Sequence, residues 1–251
     1  MKELKTLWSN TRMVVLVAVS SALYVALLIP FKFIQIIPGM AELRPAGSIP
    51  PLTSFLFGPA GAFGSAFGNL IGDFFGTLGP GSIFGFIGNF LYGYLPYKIY
   101  RILASEEYSW KMPVRNWLCL ELAIAVSASV CAIIIGFGAD LIGLAPFRVL
   151  ANWITLNNLV FGLTLTPILL ISVFNFIKQA GLFYNDLIPV KKPNKFSWLG
   201  LFLIIAGIAI SLGLGNFPAF IESTFQISGK TLTALSVGPG VVLILIGVVL
   251  L

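Results

Sequence analysis

From Met13 to Pro30 the chain runs without one charged side chain. A run of that length can cross a bilayer as a helix. Similar apolar runs, each with very few charges, extend over Ser82 to Tyr100, Asn116 to Phe137, Trp153 to Ile177, Trp198 to Gly215 and Thr231 to Leu251. In lipid the backbone must satisfy its own polar groups, so such runs predict helices. The charged fraction is 10%, against about 25% in soluble domains, and the mean hydropathy is +0.98. The expected fold class is therefore an all-α, polytopic membrane helix bundle with no sizeable soluble domain.

One further stretch sets how closely that bundle packs. Phe57 to Pro80 reads FGPAGAFGSAFGNLIGDFFGTLGP. It breaks at Gly58-Pro59, and its Gly64, Gly68, Gly72 and Gly76 recur at helical spacing. On one helix these four share a face that another backbone can approach closely. Asn69 and Asp73 share a different face. A carboxylate in so apolar a segment is costly and belongs in a bundle or a cavity. The segment, Pro59 to Thr77, is either a tightly packed span with one satisfied Asp or a helix lining a solute site.

Taken in order, residues 1–12 are basic and polar, and Met13 to Pro30 is the first span. Phe31 to Ile49 is a Pro-interrupted outer connection. A short second span runs from about Ala46 to Phe57. The glycine-rich segment is the third, and the remaining runs bring the number to eight. Of the 15 Lys and Arg residues, only Lys32, Arg44, Arg148 and Lys230 then fall outside. That bias places both termini in the cytoplasm. Fusing the second and third spans would put Arg101 to Arg115 outside, so a reversal at Gly58 is expected. The net charge of +6 is thus a topology signal and not a nucleic-acid footprint. Cys119 and Cys131 lie too far apart on one helix for a disulfide and read as small core residues.

The intramembrane polar set is Asn69, Asp73, Asn89, Glu121, Asn157 and Asn158. Amides donate and accept at once, which suits a neutral, polar, heterocyclic solute. Phe67, Phe74, Phe84, Tyr92 and Trp153 supply aromatic faces nearby, although most phenylalanines in such a chain face lipid. Trp8, Trp110, Trp117, Trp153 and Trp198 sit near span ends, where an interfacial belt is the default. Asn89, Tyr92, Trp153 and Asn157 are the expected solute contacts, with Glu42 and Arg44 in the covering loop. Asn69 and Asp73 either join them or fix the third span to its neighbours.

Enzyme readings find no support. HExxH, CxxC, Walker A and GxSxG patterns are absent, and the chain has no histidine. Asp140 and Asp186 fall in connections, so no second intramembrane Asp partners Asp73. No cofactor and no metal are expected. Two readings remain: a solute-binding membrane subunit energised by a partner, or a structural or assembly subunit without a ligand. The first predicts a cavity open toward the outer face, where Asn and aromatic residues converge. The second predicts amides that satisfy one another.

The order of motifs resembles a known family. AxxxAxxxA (Ala18, Ala22, Ala26), a long outer loop, FGPxGxxGxxxGNxxGD (Phe57 to Asp73) and GxxGNFxxGxxPYK (Gly85 to Lys98) are similar to the substrate-binding S component of energy-coupling factor transporters. The resemblance covers residues 12 to about 178. It implies a six-span core that binds a vitamin or related micronutrient, energised by a transmembrane T component and two ATPases. It also implies that Ala18, Ala22 and Ala26 form the docking face for the T component and that the outer loop gates the site. Lacking histidine, the chain departs from the nickel and cobalt branch. It looks most similar to the S components assigned to queuosine precursors, with a flavin, folate or cobalamin-related solute as the alternative. The division expected is a core over 1–178, a cytoplasmic linker over 179–197 and two additional spans over 198–251.

Overall fold

The computed structural model describes residues 2–37, 41–104, 112–188 and 193–251. Trp110, Lys111, Lys191 and Lys192 lie outside the described residues. The N-terminal helix α1 (Lys2–Ser9) leads into α2 (Thr11–Leu28). Asn10 separates them because its side-chain oxygen accepts from the Arg12 and Met13 N–H groups at 3.0 and 3.3 Å, an N-cap that starts the first span. A 3-10 turn (Ile29–Phe31) and a small antiparallel hairpin, β1 (Gln35–Ile37) with β2 (Ala41–Glu42), follow. A second 3-10 turn (Pro45–Ser48) enters α3 (Ile49–Phe57). The chain continues through α4 (Pro59–Asp73), α5 (Ser82–Leu103), α6 (Val114–Leu141), α7 (Phe147–Gln179), α8 (Tyr184–Leu187), α9 (Lys195–Asn216), α10 (Ala219–Phe225) and α11 (Gly229–Leu250).

The segments Thr11–Phe31, Val114–Leu141, Phe147–Leu187, Lys195–Asn216 and Gly229–Leu250 are long and apolar enough to cross a membrane. The α5 helix has the length, with 22 residues, but its Gly, Asn and Tyr content makes it less apolar. The short pair α3 and α4, with 9 and 15 residues, doubles back at Gly58, whose φ of +54° suits glycine. A side chain at Gly61 would run into the Thr53 carbonyl, a contact that only a reversal brings about. The expected break between the second and third spans is present.

The glycine stripe is a packing surface. Gly64, Gly68 and Gly72 of α4 lie against Ser20, Tyr24 and Leu28 of α2, which recur at the same spacing. Ser21 Oγ also donates to the Gly64 carbonyl at 3.0 Å. Lipid gives no hydrophobic drive between helices, so this close approach and its hydrogen bond hold the pair. Gly76 does not belong to the stripe. The helix ends at Asp73, earlier than the sequence suggests, and Gly76 sits in the following turn with φ +134°. The opposite face of α2 carries Ala18, Ala22 and Ala26, all exposed beside Val15, Val19 and Leu23.

The last two spans form their own antiparallel pair. Gly200 meets Gly247, and Gly207 meets Gly240, each close to the other's carbonyl. Farther along, Ser211 Oγ donates to the Val237 carbonyl at 3.2 Å. This pair rests on α6 and the start of α7, where Gly215 lies under the Phe147 ring. Residues 183–188, ahead of α9, pack onto the bundle. Phe183, Tyr184 and Ile188 are buried, and the Tyr184 ring packs on Gly58 and on Tyr97. At the same end Glu3 forms a buried ion pair with Lys98, which also reaches the Leu251 carbonyl at 3.4 Å.

Candidate functional site

Three connections meet at the other end of the bundle: the stretches 29–37 and 41–48, the α4–α5 turn and the α6–α7 turn. Beneath them lies a cavity of about 170 Å3. Each wall follows from a local feature of the chain. The C-terminal end of α4 supplies Asn69 and Asp73, with Thr77 beyond it, and the N-terminal end of α5 supplies Ser82 and Asn89. The cavity half of α6 contributes Cys131 and Ile135, and the first turns of α7 contribute Trp153, Asn157 and Asn158. The β2 strand brings Glu42 over the top, and the stretch after it brings Arg44. Two glycines make room: a Cβ at Gly85 would lie 2.7 Å from Asn69 Nδ2, and one at Gly47 3.0 Å from Asn158 Oδ1.

Of the residues singled out from sequence, Glu42, Arg44, Asn69, Asp73, Asn89, Trp153 and Asn157 line this cavity. Tyr92 does not. It is fully buried behind the wall, where its hydroxyl donates to the Asn158 carbonyl at 3.1 Å. Glu121 is also elsewhere, about 15 Å along α6 from Cys131. Among the aromatics, Phe67 and Phe74 point outward, the Phe84 ring lies against Gly138, and Trp153 alone of that group faces the cavity. Trp8 and Trp198 are half exposed at the bundle surface, as interfacial rings would be. Asn158 appears among the polar residues of the sequence, but Cys131 and Thr77 carry no signal there that separates them from core or turn residues.

A single polar chain runs through these walls. Arg44 donates to Glu42 Oε1 at 2.6 Å and to Asn69 Oδ1 at 3.2 Å. Asn69 Nδ2 donates to Asp73 Oδ2 at 3.4 Å, and Thr77 Oγ1 donates to Asp73 Oδ1 at 3.1 Å. Lys32 Nζ then donates to Thr77 Oγ1 at 2.8 Å. Burial pushes the Lys32 pKa down, and Glu42 and Asp73 oppose that. Asn157 grips the Arg44 backbone from both sides: its Oδ1 accepts from the N–H at 3.0 Å and its Nδ2 donates to the carbonyl at 3.2 Å. Asn89 Oδ1 accepts from the Tyr24 hydroxyl at 3.1 Å.

A second, shallower cleft of about 430 Å3 lies between the α6–α7 turn and the C-terminal pair. Its cations Arg148 and Lys230 are exposed, and Asp140 is already occupied by the Phe147 N–H at 2.7 Å. Its buried polar side chain, Ser236, is taken up by the Leu232 carbonyl at 2.8 Å. Among the described residues no cluster of His, Cys, Asp or Glu is placed to hold a metal ion.

A bundle of membrane helices with a small polar cavity at one end makes this a polytopic membrane protein with room for a small solute. The QueT transporter family model matches residues 14–175, from the first turn of α2 almost to the end of α7. The chain therefore belongs to the QueT transporter family, a family of S-component-type transporters of queuosine precursors. No curated protein and no solved structure matches it. The α9 and α11 helices lie beyond the matched residues.

Proposed function

We propose that this S component captures a free queuosine-precursor base in the cavity under Arg44 and passes it to an energy-coupling factor module, comprising a T component and two ATPases. The observation that carries the reading is the convergence of Asn69, Asn89, Asn157, Asn158 and Trp153 on one cavity. Amides with a flat aromatic face suit a planar heterocycle. The cavity, about 170 Å3, is well below the roughly 300–1,000 Å3 of drug-sized ligand sites. That favours a bicyclic base over a flavin, a folate or a cobalamin. The charge bias of the connections supports cytoplasmic termini and a cavity facing outward. The exposed Ala18, Ala22 and Ala26 on α2 offer a small-residue face to a T-component helix.

The test is equilibrium binding to detergent-purified protein across a panel of 7-deazaguanine bases, ordinary nucleobases and vitamins. Saturable one-site binding of a 7-deazaguanine base is expected. Tight binding of a vitamin and of no base would reassign the solute, and no binding across the panel would favour a subunit without its own ligand.

A further inference from the structure

The charges around the cavity cancel in pairs, and this bears on what can enter. Lys32, Glu42 and Asp73 are all more than nine-tenths buried. Glu42 is paired directly with Arg44 at 2.6 Å. Asp73 has no cation in ion-pair contact among the described residues, but the Thr77 hydroxyl links it to Lys32. Two acidic groups thus face two basic groups, and the sum is zero. A charged solute would leave water for this site without a counter-charge, which is costly in a poorly solvated environment. Asp73 nevertheless keeps accepting capacity. A carboxylate has about four lone-pair sites. Here one oxygen accepts from Thr77 at 3.1 Å and the other only weakly from Asn69 at 3.4 Å.

Resting on the carrier reading above, we propose that the site selects an uncharged planar base and holds its paired N–H edge, a ring N–H beside an exocyclic amine, on Asp73. Asn69 and Arg44 position that carboxylate from one side, and Thr77 relays the Lys32 charge from the other. Lys32 therefore sets charge preference without facing the cavity itself, while Asp73 reads the donor edge.

The experiment titrates purified protein with four probes: 7-deazaguanine, 7-deazahypoxanthine (which lacks the exocyclic amine), 7-cyano-7-deazaguanine (neutral) and 7-aminomethyl-7-deazaguanine (cationic). Wild type should favour the neutral cyano base over the aminomethyl base by about tenfold or more. It should favour 7-deazaguanine over 7-deazahypoxanthine by roughly 5- to 150-fold. Asp73→Asn should erase most of the second preference. Lys32→Gln keeps a donor for Thr77 but leaves the site with one net negative charge, so it should shift the first preference toward the cationic base. Equal or tighter binding of the cationic base by wild type, or an amine preference untouched in Asp73→Asn, would overturn the proposal while leaving a base carrier in place. Failure of all four probes to bind wild type would overturn the carrier reading and this proposal with it.

Discussion

Asn157 and Arg44 exchange two hydrogen bonds, side chain to backbone, much as neighbouring strands do. This fixes the stretch that covers the cavity to the first turns of α7. Asn157→Ala removes both bonds and leaves the Arg44 backbone groups without their partners. A lost buried partner costs about 1–3 kcal/mol, so base affinity should fall roughly 5- to 150-fold in a calorimetric titration. Asn89→Ala should act in the same direction, because the Tyr24 hydroxyl loses its acceptor at the cavity wall. Unchanged affinity in both variants would put the site elsewhere. At this scale the amides were legible because a polar atom in an apolar run needs a reason to be there. Tyr92 was not: sequence spacing sets a side chain beside Asn89 without saying whether it points into a cavity or across to the next helix. Its hydroxyl is taken up by the Asn158 carbonyl. Cys131 and Thr77 were invisible for the complementary reason, since small residues of weak polarity line cavities and fill cores alike.

The helices divide their small residues between inward and outward duties. On α4 the glycines admit α2, and a Cβ at Gly68 would lie 2.7 Å from the Tyr24 side chain and 3.1 Å from the Ser21 carbonyl. On α2 the alanines look outward. Ala22→Leu should therefore leave base binding to the isolated protein intact and lower uptake in cells that supply the energising module. Loss of binding as well would mean that the face supports the cavity. In the C-terminal pair a side chain at Gly207 would lie 2.5 Å from the Gly240 carbonyl. Gly207→Val should cost about 1–3 kcal/mol through overpacking. It should appear as a lower melting midpoint in detergent, with affinity for the base retained, because α9 and α11 do not line the cavity. The five long apolar helices were legible from hydropathy, and the reversal at Gly58 from its Gly-Pro break. The ends were less so. Gly76 continues the spacing of the stripe, yet the turn takes it, and the packing of Tyr184 against Gly58 and Tyr97 depends on contacts far apart in sequence.

Across the whole molecule the two ends do different work. One end gathers α1, the Glu3–Lys98 pair and Leu251, and in the arrangement we propose it faces the cytoplasm. The other end holds the cavity and its cover. Cysteines placed at Arg115 and Glu222, with Cys119 and Cys131 replaced, should be labelled from opposite sides of the membrane. Labelling of both from one side would break the eight-span arrangement. The cavity itself is best probed through Trp153, which faces it while Trp8 and Trp198 sit half exposed on the outer surface. Titration of a 7-deazaguanine base should quench tryptophan fluorescence saturably in wild type. Most of that quench should vanish in Trp153→Phe. A saturable quench of undiminished size in Trp153→Phe would place the bound base away from this cavity.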